Sequence, residues 1–289
     1  MRFSGFRYCA VLRGTQAMLF DPAGRLMRFL AVAVLMLGMA GSLQAAQETP
    51  LELRYGLYWG GVRLATLDLH HELAPDGYQS GLSIETVGLI ERLAKYRAEA
   101  NAAGERRRFG SLVPVTFSTK YKTRKKSRSA VIQFDPLTGD VVDLRIEKRG
   151  KPDGTDVPKE LQHDVVDPLT AFLSLRDELA RARIDGRGAF EAAVFDGRRR
   201  YDVEARVTGG ERVKISGRSW TAIRVELDVL PIVGFDDDDL QEVGVDEDER
   251  LRLEVMFSDD ERLLPLQVTT LDTTIAGTIR LLEDRLAAR

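Results

Sequence analysis

The side chains with the means for catalysis, metal binding or ligand recognition are three histidines, two opposed clusters of charge and a few aromatic residues. His70-His71-Glu72 interrupts an alternating apolar run, so His70 and Glu72 share one strand face, a geometry that suits a divalent metal. The other histidine is His163, and the one cysteine, Cys9, precedes the export segment described below. A closed zinc site would then need carboxylates too, and strand-surface histidines are the simpler account. There is no Gly-X-Ser-X-Gly elbow, and no serine sits with a histidine in a triad context, so the motifs give hydrolysis no support.

Asp236 to Asp239, Glu242 and Asp246 to Glu249 put nine carboxylates into fourteen residues. Calcium takes many oxygen ligands, which makes Asp236, Asp238 and Glu242 candidate ligands. The run lacks the glycine and terminal glutamate of an EF-hand, and mutual repulsion favours a solvated loop. The opposite pole is Lys120, Lys122, Lys125 and Lys126, with Arg124 and Arg128 among them, a candidate contact for an anionic surface or simply a charged hairpin tip. Tyr55, Trp59, Phe117 and Phe172, with Arg176, are candidates to line a ligand cavity, although core packing explains the four aromatics without one and is the favoured account. No cofactor is expected.

Composition narrows the class. Residues 29–40, Phe29 to Ala40, form a short apolar run after Arg28, and small residues follow to Ala45. That is the pattern of a cleavable secretory signal, too short to span a bilayer. The expected division is therefore a leader, 1–45, with its functional start at Met27, and a single β-rich domain, 46–289. Removing the leader, which carries five arginines and one aspartate, takes the formal charge from −3 to −7 and excludes a general nucleic-acid binder. It also removes Cys9, leaving no disulfide, which suits a bacterial periplasm.

The elements that must position these residues are mostly strands. Leu51, Leu53, Tyr55, Leu57 and Trp59 alternate with polar residues, Gly60-Gly61 turns the chain, and Ala65, Leu67 and Leu69 return on one face. Val113 to Tyr121, Tyr201 to Val207, Thr221 to Val229 and Leu251 to Phe257 repeat that period. Ile90 to Leu93 reads as one helical turn, and 149–160, with two glycines and two prolines, reads as a loop. The strong helix signal is Asp167 to Arg183: Asp167 caps, Pro168 takes the first position, and Leu169, Phe172, Leu173 and Leu179 form the buried stripe. Arg176 interrupts that face, and the expected partner is a nearby acid in a structural ion pair.

Lengths then constrain the architecture. The helix is about 22 Å long, whereas ten or more strands at ~4.8 Å spacing make a sheet roughly 50 Å wide. One helix cannot cover it. The expectation is a mainly β, antiparallel protein with one central helix at 168–183, built as a curved sheet, a half-barrel or two layers. In the layered version, sub-sheets 51–160 and 187–285 would be joined by the helix.

Three segments carry a family resemblance: Tyr55-Gly56-Leu57-Tyr58-Trp59-Gly60-Gly61-Val62; Asp167 to Arg176 with Val194 to Tyr201; and Phe257 to Leu266 with Gly277 to Leu281. Together they resemble the exported bacterial family catalogued as domain of unknown function 3108 (DUF3108), over nearly all of 51–285. The resemblance implies an envelope protein rich in antiparallel β structure and supplies no catalytic residues. The acidic stretch 236–249 departs from its pattern. By fold analogy the chain compares with the half-barrel carriers that localise lipoproteins in the periplasm. The function expected is that of a non-enzymatic periplasmic protein binding a hydrophobic or amphiphilic ligand, such as a lipid, or another envelope protein. It would have no transmembrane span after cleavage and no nucleic-acid partner. The alternatives are an interaction module without a small ligand and, with less support, an envelope hydrolase.

Overall fold

The computed structural model describes residues 50–107, 111–185, 189–235, 250–271 and 276–287. The expected leader and the acidic stretch with Asp236, Asp238 and Glu242 lie outside them. Strands β1 (Leu51–Trp59), β2 (Val62–Leu73) and β3 (Gly77–Thr86) lead to a short helix, α1 (Gly88–Ala94). Then come β4 (Arg97–Arg106), β5 (Leu112–Lys122), β6 (Ser127–Phe134), β7 (Val141–Lys148) and β8 (Lys151–Asp153), and a 3-10 turn at Lys159–Leu161. The central helix α2 (Pro168–Asp185) precedes β9 (Ala189–Phe195), β10 (Arg200–Ile215), β11 (Arg218–Val233), β12 (Leu251–Ser258), β13 (Pro265–Thr270) and β14 (Gly277–Asp284).

All fourteen strands form one antiparallel sheet in the order β8-β7-β6-β5-β4-β3-β2-β1-β14-β13-β12-β11-β10-β9. The two halves are not separate sub-sheets, because β1 pairs on one side with β2 and on the other with β14, Trp59 lying opposite Gly277. The expected loop at 149–160 contains β8, three residues laid against Ile146 to Lys148.

A flat sheet of this size would be ~65 Å wide at 4.8 Å per strand, and α2 shows that it curls instead. Every residue from Asp167 to Leu173 is buried, so the first turns are covered on all sides rather than along one stripe. The helix touches β3 through Thr170 and Tyr78, and β12 through Phe172 and Phe257, strands on opposite sides of the β1–β14 centre. Leu169, Phe172, Leu173, Leu175 and Leu179 are each at most 3% exposed. At ~2 kcal/mol per side chain, the burial of these five stabilises the docked helix by roughly 10 kcal/mol before entropy is counted.

The ladder does not close into a barrel, and residues 162–166 span the gap. Val141 N–H donates to Gln162 O and Val165 N–H to Gly139 O, both at 3.0 Å, on the β6–β7 side. Val166 N–H donates to Ala193 O and Phe195 N–H to Val166 O, both at 2.9 Å, on the β9 side. The β9–β10 turn reinforces this seam: Gly197, at φ 90°, packs so that a Cβ would lie 3.1 Å from Ala130 Cβ.

Two glycines on the sheet give a contrasting prediction. A Cβ at Gly104 would stand 2.1 Å from the Val113 carbonyl oxygen and 2.6 Å from Tyr78 Cε1. Gly104→Ala must therefore move backbone, at a cost upward of ~2 kcal/mol. A Cβ at Gly81 first meets the ends of two side chains, His70 Cε1 at 2.0 Å and Asn101 Oδ1 at 2.8 Å. His70 is exposed and can rotate away, so Gly81→Ala should stay within ~0.5 kcal/mol. Urea midpoints that coincide for the two variants would refute this account of the packing.

Candidate functional site

Asp167 begins the interior polar cluster because it begins the helix. Its Oδ1 accepts the N–H groups of Leu169 and Thr170, each at 2.9 Å, and its Oδ2 accepts the Thr170 hydroxyl. The Thr170 and Tyr78 hydroxyls are bonded in turn, tying the helix start to β3. Burial outweighs these donors and pushes the Asp167 carboxyl up to about 6.

Two turns on, Arg176 is 4% exposed, and its Nη2 donates to the backbone carbonyl of Arg262. The expected ion pair is not formed: among the described residues no carboxylate is within bonding range of it, and its Nε has no hydrogen-bond partner. Burial lowers its proton affinity, while Asp177, Tyr55 and Asp260 oppose from a distance. Asp177 is itself pushed up to about 7 by burial, against Arg176, Arg181 and Arg106. The helix end is held on the same turn by Arg183, which reaches Asp259 at 3.0 Å and the Asp260 carbonyl at 2.7 Å.

Facing Arg176 electrostatically is His71. It is 2% exposed, and its ring has no more than a weak contact with the Gln79 backbone, neither nitrogen making a hydrogen bond of full geometry. Burial first, and then the charge of Arg176, lower it to about 3, so it is neutral at physiological pH. The Tyr55 hydroxyl donates to Pro265 O at 3.0 Å.

The three segments with family resemblance thus meet at one place. Tyr55 of the first bonds Pro265 of the third, Arg176 of the second bonds Arg262, and the Phe172 ring lies 6.2 Å from that of Phe257. Ser258 and Asp260 shape the receiving turn: Leu264 N–H donates to Ser258 Oγ at 2.7 Å, and Arg262 N–H to Asp260 Oδ1 at 3.0 Å.

Of the expected cavity residues, Tyr55, Phe172 and Arg176 come together, and Phe117 points inward from β5, 2% exposed. All four are core. Trp59 is half-buried, roughly 13 Å along β1 from Tyr55. His70 and Glu72 point outward, and among the described residues no group of three His, Cys, Asp or Glu side chains could hold a metal. Lys120 pairs with Glu99 at 2.9 Å. Together with Lys122 it flanks an open surface groove of about 420 Å³, also lined by Arg97, Tyr121 and Arg128. Lys125 and Lys126 stand in the β5–β6 turn, their N–H groups donating to Thr123 Oγ1 at 3.1 and 2.8 Å.

His71 is the interior residue that sequence reasoning passed over. The inward face Ala65, Leu67, Leu69 continues by simple parity to 71, and that signal was sufficient. Asp177 carried only a partial signal: Arg181 lies one turn on along the same helix, whereas the burial of Asp177 and its neighbour Arg106 on β4 come from tertiary packing.

A solved structure shares the architecture, and two others match at lower similarity. A β-barrel-like protein of domain of unknown function DUF1849 from Brucella abortus superposes with a TM-score of 0.50 at 14% identity, over 81% of this chain and 96% of that one. A candidate lipoprotein from Parabacteroides distasonis gives a TM-score of 0.31 at 8% identity, covering 82% and 95%. A candidate exported protein with a YmcC-like fold from Bacteroides fragilis gives 0.29 at 6%, covering 80% and 93%. No curated protein matches the sequence. With the family model matching residues 54–282, most of the chain, the chain belongs to the family described as protein of unknown function (DUF3108).

Proposed function

We propose that this is a non-enzymatic, exported protein of the bacterial periplasm that works by binding another component of the cell envelope at its outer surface. One observation carries the choice of surface over interior: α2 fills the concavity, and Tyr55, Phe117, Phe172 and Arg176, the residues that would line a cavity, are at most 4% exposed. The export reading rests on the signal-like run that ends at Ala45. The non-enzymatic reading is favoured by the histidines, since His71 is enclosed, His163 pairs with Asp140 at 3.1 Å, and no hydroxyl is bonded to any histidine ring among the described residues.

A second reading has its own support. His71 and Arg176 are buried polar groups with unused hydrogen-bonding capacity in an apolar interior, which is how a receptor for one polar headgroup is built. An amphiphile could reach them if α2 moved aside. Native mass spectrometry of protein taken from its own envelope, together with crosslinking in that envelope, separates the two. Crosslinks through outer-surface residues, without a stoichiometric amphiphile held in the interior, are expected. A stoichiometric amphiphile that disappears in Arg176→Met would overturn the surface reading in favour of the carrier.

A further inference from the structure

The end of the sheet that carries α1 differs from the rest of the surface in two respects at once. Leu89 and Leu93, one helical turn apart, are 68% and 53% exposed, and Val62 at the start of β2 is 63% exposed. The α1 helix buries its neighbouring Ile90–Ala94 face on the core and turns this leucine pair to solvent. Val87 N–H donates to Leu64 O at 2.9 Å, which fixes the start of α1 against β2.

Charge is segregated at the same place. Arg124 N–H donates to Ala94 O at 3.3 Å, so the β5–β6 turn is bonded to the last turn of α1. Segments 88–95 and 122–126 together hold Arg92, Lys95, Lys122, Arg124, Lys125 and Lys126 against one acid, Glu91, a local charge of +5 on a chain whose formal charge is −3. All six cations are exposed, and none has a carboxylate partner among the described residues. The 420 Å³ groove opens beside them, with Lys122 in its wall.

Exposed leucines on the same end of the molecule as a cluster of unpaired cations match the boundary of an anionic lipid surface, where acyl chains lie beneath a layer of phosphate. A basic turn alone would suit any polyanion, and the leucine pair is what selects a lipid surface over a soluble one. We propose that this end of the molecule docks on anionic lipid, with Leu89 and Leu93 entering the acyl boundary and the β5–β6 turn meeting headgroup phosphates. The inference rests on the envelope reading above and specifies the component bound.

The test is co-sedimentation of the purified protein with vesicles of phosphatidylcholine alone or mixed with phosphatidylglycerol. Binding is expected to the mixed vesicles only and to weaken as salt rises from 0.1 to 0.5 M. At roughly fivefold per cation removed, Lys122→Glu/Lys125→Glu/Lys126→Glu should reduce partitioning more than tenfold. Leu89→Ser/Leu93→Ser should reduce it several-fold with little change in the urea midpoint, because both side chains are more than half exposed. Binding to neither vesicle at low salt, equal binding to both, or binding unchanged in both variants would overturn the proposal. Envelope crosslinks to an acidic protein, with no vesicle binding, would likewise overturn it while leaving the broader function standing.

Discussion

Asp167→Ala is expected to lower the stability of the fold by about 4 kcal/mol, read as a fall in the urea midpoint. Losing a capping carboxylate costs ~1–2 kcal/mol. The Thr170 hydroxyl keeps Tyr78 as a partner, but the variant strands the buried Leu169 and Thr170 amides inside the protein, adding ~1–3 kcal/mol. Three of the donors to Asp167 are fully internal, so water cannot replace it cheaply. The pH dependence follows from the same burial. The carboxyl titrates at about 6 in the folded protein against 3.8 when exposed, so the folded state holds the proton more tightly. Its contribution is fully present below pH 3.8 and is lost as pH rises through 6, by up to about 3 kcal/mol. Asp167→Asn keeps an oxygen for the Leu169 and Thr170 amides and should remove this gain, so that the stability difference between wild type and variant grows as pH falls from 7 to 4. A difference that stays constant over that range would contradict the assignment.

His71→Leu should act in the opposite direction and stabilise the protein. A buried ring served by no more than a weak contact to the Gln79 backbone costs ~1–3 kcal/mol, and a leucine of similar volume removes that cost, raising Tm by roughly 5 °C. The imidazole titrates at about 3 when folded against 6.5 when free. Its contribution is therefore present above pH 6.5 and lost as pH falls through the window to 3. Asp167 and Asp177, the latter at about 7, gain stability over much of the same descent. In the wild type the opposing effects partly cancel, and His71→Leu should expose the carboxylate effect as a net gain on acidification. A lower Tm in the variant would mean that the ring nitrogens have partners after all, as the carrier reading requires.

The sequence showed face and period clearly, and adjacency poorly. Alternation identified Leu51 to Leu57 and Ala65 to Leu69 as inward, and Asp167-Pro168 marked the helix start to the residue. A two-residue period, however, states which way a side chain points and not which strand lies beside it. The joining of β1 to β14, which unites the halves into one sheet, was invisible for that reason. β8 was hidden because Lys151-Pro152-Asp153 lies between glycines and owes its extension to pairing with β7. Arg176 misled by analogy with ordinary buried charges: the acceptor that reaches it is a backbone carbonyl, which has no signature in residue types.

That β1–β14 seam bears on how the molecule assembles. Every other ladder joins strands adjacent in sequence, whereas this one brings Trp59 to Gly277. Loop closure across such a span costs roughly 5 kcal/mol of chain entropy, against about 1 for a four-residue hairpin. Two meanders can therefore zip early and independently, each ending in a strand whose backbone groups are unsatisfied. Until they meet, β1 and β13 or β14 are open edges of the kind that recruit other chains into aggregates. The last strand made is thus the one that shields the first, and the interval before it arrives is when this protein is most vulnerable.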